Sequence, residues 1–163
     1  MESLITELMV YIALVSGGFS QDLGYDTTME VSNYNPRISF VSQNQLHLMK
    51  YNRNLTEDET FKVRALYLYG GSIFLEESWD INSVADQSIL LHELVHYMQD
   101  MNYISYECEG DQERLAYYIQ EQWLKDKHDI VIYDAIGLNP LAMVAAMMCP
   151  PNENLAKPWE GGP

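Results

Sequence analysis

The chain has little positive charge and no long apolar run. Among its 163 residues, nine are lysine or arginine and 24 are aspartate or glutamate, so the formal net charge is −15. Such a charge repels phosphate backbones and argues against a nucleic-acid partner. An acidic excess is typical of a well-solvated surface, with a preference for basic substrates as the alternative interpretation.

The first twenty residues are partly apolar, but they fit neither an export signal nor a membrane span. Glu2 and Glu7 fall within them, and no lysine or arginine occurs before Arg37. A signal peptide has a positively charged start, and a membrane span has about 20 apolar residues. We therefore predict no membrane span, but an N-terminal helix that packs on the domain and ends at Gly17 and Gly18. The sequence leaves both a cytoplasmic and an exported location open, and it predicts no oligomeric state.

Cysteine is scarce, and the two cysteines, Cys108 and Cys149, are far apart in the sequence. This number excludes a disulfide framework, but it allows either one bridge or two buried free thiols. Hydrophobic residues make up 47% of the chain, and its length fits one domain with one core. We expect a single domain over 1–163, with a core from about 37 to 149 and an irregular, proline-containing tail over 150–163.

One pentapeptide, His92-Glu93-Leu94-Val95-His96, has the form HExxH and lies where apolar residues recur with helical spacing. On a helix, residues four positions apart lie on one face, so the two imidazoles can bind the same Zn²⁺ ion. Glu93 would then lie beside the metal without binding it. In that position it can act as a general base, so the motif indicates metal-assisted hydrolysis.

A catalytic zinc site needs a third protein ligand and an open position for water. The third histidine of the metzincins is absent after His96, and carboxylates follow instead. A short loop can return the chain antiparallel to the HExxH helix and place Glu113 opposite His96. We therefore predict one zinc ion bound by His92, His96 and Glu113, with Glu109 and Asp111 as alternative third ligands.

The pattern around the motif predicts an α+β domain. Two β-prone runs separated by Gly70-Gly71 indicate a hairpin, because glycine accepts the positive φ of a tight turn. Another β-prone run comes earlier, and a second amphipathic helix follows the motif. The predicted segments are the hairpin strands 63–69 and 72–75, the early strand 37–42, the HExxH helix up to about 101 and the second helix from 111 to about 127.

The motif and the helix after it resemble the small gluzincin-type zincins, a group of HExxH zinc metallopeptidases that includes bacterial families of unknown function. The resemblance covers about residues 60–125 and rests on Ser88–Gln99 and Glu113–Gln120. It implies a zincin-like fold, in which a small mixed sheet with an edge hairpin packs on the HExxH helix and on a helix that carries the glutamate ligand. In thermolysin-like gluzincins, an aspartate one turn after that glutamate braces a ligand histidine. Tyr117 stands there in this chain, so such a brace has to come from elsewhere.

The resemblance also implies the reaction, which is zinc-dependent hydrolysis of peptide bonds. Water activated by the metal would attack the carbonyl, and Glu93 would act as the general base. A peptide or protein substrate would bind in an extended form by strand addition to an edge of the sheet. The strand predicted for this role comprises Ser72, Ile73 and Phe74.

Peptide hydrolysis of this kind also needs a hydrogen-bond donor that stabilises the oxyanion. Tyr117 and His128 are the first candidates, and Tyr97 and Tyr133 are further ones. Two other hypotheses compete with an enzyme. The chain can be a zincin-like binding or regulatory domain with a structural or vestigial zinc site, which four protein ligands would indicate. Alternatively, the motif is accidental and the protein binds no metal.

Overall fold

The computed structural model describes residues 1–16, 35–56 and 62–150, and within these ranges the chain has an α+β fold. The predicted glycine stop at Gly17 and Gly18 and the predicted tail after residue 150 lie outside the described residues. The helices are α1 (Glu2–Ser16), α2 (Gln43–Tyr51), α3 (Val84–Met101), α4 (Glu109–His128), α5 (Ile132–Ile136) and α6 (Pro140–Ala146). The strands are β1 (Arg37–Val41), β2 (Ala65–Leu68) and β3 (Ser72–Glu76).

The three strands form one mixed sheet in the order β1-β3-β2. β3 pairs with β1 in parallel and with β2 in antiparallel orientation. Gly70 and Gly71 in the β2–β3 connection have φ angles of 94° and 89°, which only glycine adopts without strain. The predicted hairpin is therefore confirmed, although its turn also includes Tyr69, because Leu68 pairs with Ser72.

The prediction that Ser72, Ile73 and Phe74 form the sheet edge is wrong. These residues lie in β3, which is the central strand and has a partner on each side. The hairpin signature does not show which of its two strands is the outer one. That is decided by β1, which comes from well before the hairpin and pairs with β3. The edge strand next to the HExxH helix is therefore β2.

The HExxH helix α3 begins after Ser83, whose side chain accepts a hydrogen bond from the backbone N–H of Asp86. This cap satisfies one of the free N–H groups of the first turn. The predicted apolar face of α3 is buried, which confirms that the two histidines border the core. Its members are Leu91, Leu94, Val95 and Met98.

Helix α4 returns antiparallel to α3, as predicted. Near the start of α4, the backbone carbonyl of Gln112 accepts a hydrogen bond from Gln99 near the end of α3. Further along α4, Gln120 donates to Ser88 near the start of α3. The predicted apolar face of α4 is also buried and comprises Leu115, Ala116, Ile119 and Trp123.

A disulfide between Cys108 and Cys149 joins the residue before α4 to the segment after α6, with 5.6 Å between the two Cα atoms. Of the two states that the sequence allows, the structure contains the bridge. Gly110 lies so close to this segment that a Cβ there would be 2.7 Å from the carbonyl carbon of Met148. The first turn of α4 is thus held covalently and by close packing.

The N-terminal helix α1 packs on the domain, as predicted, because Leu8, Met9 and Ile12 are buried in the core. None of the helices in the described ranges combines the length and the apolar character that a membrane crossing requires.

Candidate functional site

Three predicted ligand residues come together between α3 and α4. His92 and His96 are one turn apart on α3, and their Nε2 atoms are 3.1 Å from each other. The carboxylate of Glu113 on α4 lies opposite, with 3.1 Å to Nε2 of His92 and 3.5 Å to Nε2 of His96. The side chains of His92 and His96 are 10% and 13% exposed and that of Glu113 is 30% exposed, so two nearly buried ring nitrogens and a partly buried carboxylate share a small space.

The tautomer of His92, that is, which ring nitrogen carries the proton in the neutral ring, follows from a chain of hydrogen bonds. The hydroxyl of Ser88 donates to the carbonyl oxygen of Ala85, so its lone pairs accept from the amide nitrogen of Gln120. The amide oxygen of Gln120 therefore faces Nδ1 of His92, at 3.1 Å. An amide oxygen only accepts, so Nδ1 carries the proton. In the neutral ring, Nε2 then has a free lone pair that points toward Glu113.

The tautomer of His96 is determined in the same way, by a hydrogen bond to Gln99. The amide nitrogen of Gln99 donates to the backbone carbonyl of Gln112 at 3.1 Å, and its amide oxygen lies 2.9 Å from Nδ1 of His96. Nδ1 of His96 is therefore also a donor, and its Nε2 also presents a lone pair. When both rings are neutral, the two Nε2 lone pairs and the Glu113 carboxylate face one another without a proton between them. A cation bound among them would remove the resulting electrostatic repulsion.

The electrostatics of the site also favour a positive charge between the two histidines and Glu113. Burial raises the pKa of Glu113, but the hydrogen bonds and charge that His92 and His96 supply when their rings are protonated outweigh it and bring the pKa well below its ordinary value. Burial lowers the pKa of His96, yet Glu113 and Glu93 outweigh burial and raise this pKa above its ordinary value. The two carboxylates thus create a negative potential at the ring nitrogens, which favours a positive charge among them.

The residues at this point fit a zinc ion. Zinc binds two imidazoles and one carboxylate in catalytic sites, with bonds of about 2.0–2.2 Å, so tetrahedral ligands lie about 3.3 Å apart. The separations here are close to that value: 3.1 Å between the two Nε2 atoms, 3.1 Å from Nε2 of His92 to Oε2 of Glu113, and 3.5 Å from Nε2 of His96 to Oε1 of the same carboxylate. Within the described residues this group has three members, and a zinc site of three protein ligands leaves a fourth position for water.

Glu93, the predicted general base, is oriented by the edge strand. One oxygen of its carboxylate accepts a hydrogen bond of 2.7 Å from the backbone N–H of Tyr67 on β2. This contact leaves the second oxygen available to a reactant. Glu93 lies between the two histidines in sequence and lines the same cleft as they do, so its carboxylate is close to the ligand group without belonging to it.

The ligand group opens into a cleft of about 430 Å³ between β2 and α4. Tyr117 lines this cleft one turn after Glu113, and its ring packs against the ring of His92 with 4.6 Å between the centroids. Burial, and next the charges of Glu113 and Glu93, raise the pKa of Tyr117 to about 12, so the hydroxyl stays protonated near neutral pH. Among the described residues, this hydroxyl has no hydrogen-bond partner and can donate to a bound molecule.

The other candidate donors lie elsewhere. His128 is the last residue of α4 and packs against Trp123, about 22 Å along the helix from Glu113. The hydroxyl of Tyr97 accepts a hydrogen bond from the backbone N–H of Asn35, on the side of the sheet. Tyr133, on α5, packs against the core and does not line the cleft. Of the four candidates, only Tyr117 is at the site, and the interpretation of His128 as an oxyanion donor is wrong.

The alternative third ligands are also separated from the histidines. Glu109 is exposed and lines the outer part of the cleft, but it is not in the group formed with His92 and His96. Asp111 forms an ion pair with Arg114 at 2.9 Å. Glu113 is therefore the carboxylate that the structure brings to the two imidazoles.

The sequence does not by itself single out Gln99 and Gln120, the two glutamines that hydrogen-bond the histidines. Gln99 is three residues after His96, and Gln120 is seven residues after Glu113, so each shares a helix face with a predicted ligand. That spacing is a usable indication, but glutamine at such positions is more often a surface residue. The brace that the resemblance leads one to expect from an aspartate at position 117 is thus supplied by two amides.

Comparisons with known proteins give one family. No curated protein and no solved structure matches the chain. A family model described as "Domain of unknown function (DUF6647)" matches residues 15–153, which include the two histidines of the HExxH motif, Glu113 and both cysteines. Because the match spans most of the sequence, the chain belongs to the DUF6647 family.

Proposed function

We propose that the protein is a zinc-dependent metallopeptidase, with His92, His96 and Glu113 as the zinc ligands. One observation carries the proposal: the amide oxygens of Gln120 and Gln99 accept hydrogen bonds from Nδ1 of His92 and His96, so the Nε2 lone pair of each neutral ring faces the Glu113 carboxylate. Hydrogen bonds from the outer nitrogen of each imidazole to a fixed acceptor are the usual support of zinc-binding histidines.

In the proposed mechanism, each side chain around the ligands has a separate role in hydrolysis. A zinc ion bound there would supply Lewis acidity toward a water molecule and toward a peptide carbonyl. The free oxygen of Glu93 is placed to take a proton from the water and to give it to the leaving amine. Tyr117 donates its hydroxyl proton in a hydrogen bond to the carbonyl oxygen as negative charge develops there. The hydrogen bond from Tyr67 keeps Glu93 oriented during both proton transfers.

The edge strand β2 supplies the main-chain partner for an extended substrate. In the antiparallel register, Leu66 and Leu68 face the backbone of β3, while Ala65 and Tyr67 direct their N–H and C=O groups outward. Glu93 accepts the hydrogen bond from the N–H of Tyr67, so the carbonyl of Tyr67 and both groups of Ala65, which pair with no other described residue, are the ones we assign to a bound strand. Strand addition thus occurs at β2, next to the ligand group, and not at β3.

Two features favour an exported hydrolase over a regulatory domain with structural zinc. Structural zinc sites have four protein ligands, whereas the group between α3 and α4 has three among the described residues. The disulfide Cys108–Cys149 favours an oxidising compartment, because such bonds are rare in the cytosol.

The test compares the wild type with Glu93→Gln on a peptide library, after zinc analysis of both proteins. We expect wild-type cleavage and a loss of about 10²- to 10⁴-fold in kcat/KM in the variant, with zinc content unchanged, because Glu93 moves protons and does not bind the metal. Glu121→Gln is the matched control, since Glu121 pairs with Lys125 outside the cleft. Equal cleavage by Glu93→Gln would exclude this mechanism.

A further inference from the structure

The cleft has a direction, because β2 and α3 run side by side in the same sense. Three contacts join them in order: Arg64 to Asp86 at 2.7 Å, the backbone N–H of Tyr67 to Glu93 at 2.7 Å, and the backbone N–H of Gly70 to Asp100 at 2.9 Å. We call the end near Arg64 the upstream end of the cleft and the end near Gly70 and Asp100 the downstream end.

The lining of the upstream end contains two lysines, Lys62 and Lys50. Lys62 precedes Arg64 by two residues on the chain that enters β2. The ammonium of Lys50 lies 6.0 Å from the ring of Tyr51. Tyr51 is near enough to Tyr117 to act on it electrostatically, Tyr117 lines the same cleft as Lys50, and Tyr117 lies on the upstream side of Glu113. Both lysines therefore lie beyond the ligand group on the same side.

These two lysines differ from Arg64, the other basic residue that lines the cleft. Arg64 forms ion pairs with Glu76 and Asp86, which satisfy its charge. In the described part of the chain, neither lysine forms an ion pair, and Lys50 lies only over the ring of Tyr51, at 6.0 Å. In a chain of net charge −15, we take two exposed ammonium groups at one end of a cleft, with no carboxylate partner among the described residues, as favouring a ligand that carries a carboxylate.

The downstream end has the opposite character. Asp100 is there, engaged with Tyr67 and Gly70, and so is Glu109, which is exposed. A peptide that pairs antiparallel with β2, the more stable of the two orientations, runs from the downstream to the upstream end. Its C-terminal side then meets the lysines and its N-terminal side meets the carboxylates, in agreement with the charges of its own termini.

We propose that the upstream end is a carboxylate subsite, in which Lys62 and Lys50 select peptides with a carboxylate on the C-terminal side of the scissile bond. The carboxylate comes either from an aspartate or glutamate side chain or from a free C-terminus. Lys62 precedes Tyr67, the residue that contacts Glu93, by five residues, so at about 3.3 Å per residue the carboxylate lies within about five residues of the bond. This inference rests on the proposed peptidase function and adds a substrate class to it.

The negative charge of the whole protein does not cancel this preference. At physiological salt, charges are screened over about 8 Å, so remote carboxylates act weakly on a peptide inside the cleft. The lysines line the cleft itself. The subsite thus predicts a local preference opposite to the preference for basic substrates that the net charge suggests.

The experiment uses internally quenched peptides that differ only in having Glu, Gln or Lys at each position after the scissile bond, each with a free or an amidated C-terminus. We expect the wild type to prefer the best Glu peptide or the free C-terminus by about three- to tenfold in kcat/KM, as for a partly exposed ion pair. The two arms distinguish the sources of the carboxylate. Lys62→Gln should remove the preference, and Lys62→Glu should invert it toward the Lys peptide.

Lys125→Gln is the matched control, because Lys125 is on α4 outside the cleft and should leave the preference intact. Binding of the same peptides to zinc-loaded Glu93→Gln, measured by fluorescence anisotropy, gives a second readout that does not need cleavage. Equal kcat/KM for Glu, Gln and Lys peptides overturns the subsite but leaves the peptidase function standing. If the wild type cleaves none of them, the peptidase function fails, and the subsite then stands only if Glu peptides bind more tightly than Gln peptides in a Lys62-dependent way.

Discussion

Two groups of potential metal ligands lie around the first turns of α4, and they differ in what holds them together. One group comprises Cys108, Asp111 and Cys149, and the other comprises His92, His96 and Glu113. In the first group the cysteines are joined by a disulfide and Asp111 pairs with Arg114, so its bonding capacity is used within the protein. In the second group the lone pairs point at one another.

The comparison teaches that ligand-type residues in proximity do not suffice to indicate a metal site. What distinguishes the histidine group is its surroundings: Gln99 and Gln120 orient the rings so that both Nε2 atoms face the Glu113 carboxylate. The cysteine group instead anchors the helix start that carries Glu113 two residues after Asp111. We call the cysteine group, Cys108, Asp111 and Cys149, the clamp, because its disulfide fixes the start of α4. The histidine group is the site that this disulfide supports.

The largest expected effect is on the free energy of unfolding and comes from removing the disulfide of the clamp. The double variant Cys108→Ser, Cys149→Ser removes a cross-link with a sequence separation of 41 residues. The chain-entropy relation predicts a loss of about 4 kcal/mol in the free energy of unfolding. Urea unfolding with circular dichroism measures it. Zinc stoichiometry at low urea should stay the same, and a loss of zinc in the folded variant would mean that the two groups are not separate in function.

The next effect concerns Tyr117. Tyr117→Phe keeps the ring that packs on His92 but removes the hydroxyl, so kcat should fall by about 10²- to 10³-fold while zinc content is unchanged. Steady-state kinetics on one cleaved peptide measures the change. Tyr118→Phe is the matched control, because Tyr118 does not line the cleft. An unchanged kcat in Tyr117→Phe would show that the oxyanion donor is another group.

The braces predict a smaller change in metal affinity. In Gln120→Leu, Nδ1 of His92 loses its acceptor, so zinc affinity should fall by about 10- to 100-fold. Competition with a chromophoric chelator measures the affinity. Gln112→Leu is the control, since the side chain of Gln112 contacts Tyr69 and not a histidine. If both variants bind zinc equally well, the hydrogen bond from Gln120 does not set the ligand geometry.

The smallest effect tests the packing of the clamp. A methyl group at Gly110 would be 2.7 Å from Met148, so Gly110→Ala should destabilise the fold by about 1 kcal/mol after the gain in helix propensity is subtracted. Thermal unfolding measures it. Helix propensity alone predicts stabilisation, so a rise in the melting temperature would contradict the close contact between α4 and the segment after α6.

The sequence predicts those parts of the fold that depend on neighbours along the chain. The two long helices, their buried faces and the glycine hairpin follow from local periodicity and turn chemistry. The antiparallel return of α4 follows from the short loop between the helices. Because helical spacing aligns His92 with His96 and a short loop brings α4 back, the position of Glu113 is also accessible to such reasoning.

What the sequence does not predict depends on contacts between distant segments. The order of the sheet is decided by the pairing of β1 with β3, and no local pattern distinguishes β2 from β3 as the outer strand. Orientation of the histidines depends on Ser88 meeting Gln120 across two helices. Whether Cys108 reaches Cys149 depends on where α6 docks. In each case the deciding partner is far away in the chain.

The most direct test of the central claim is zinc binding by the wild type and by Glu113→Ala, with the ligands identified by X-ray absorption at the zinc edge. We expect about one zinc per wild-type chain, bound by two imidazoles and by oxygen, and an affinity loss in Glu113→Ala greater than the ~100-fold of a lost brace. A wild type that binds no zinc, or a Glu113→Ala variant that binds it equally tightly, would contradict the account.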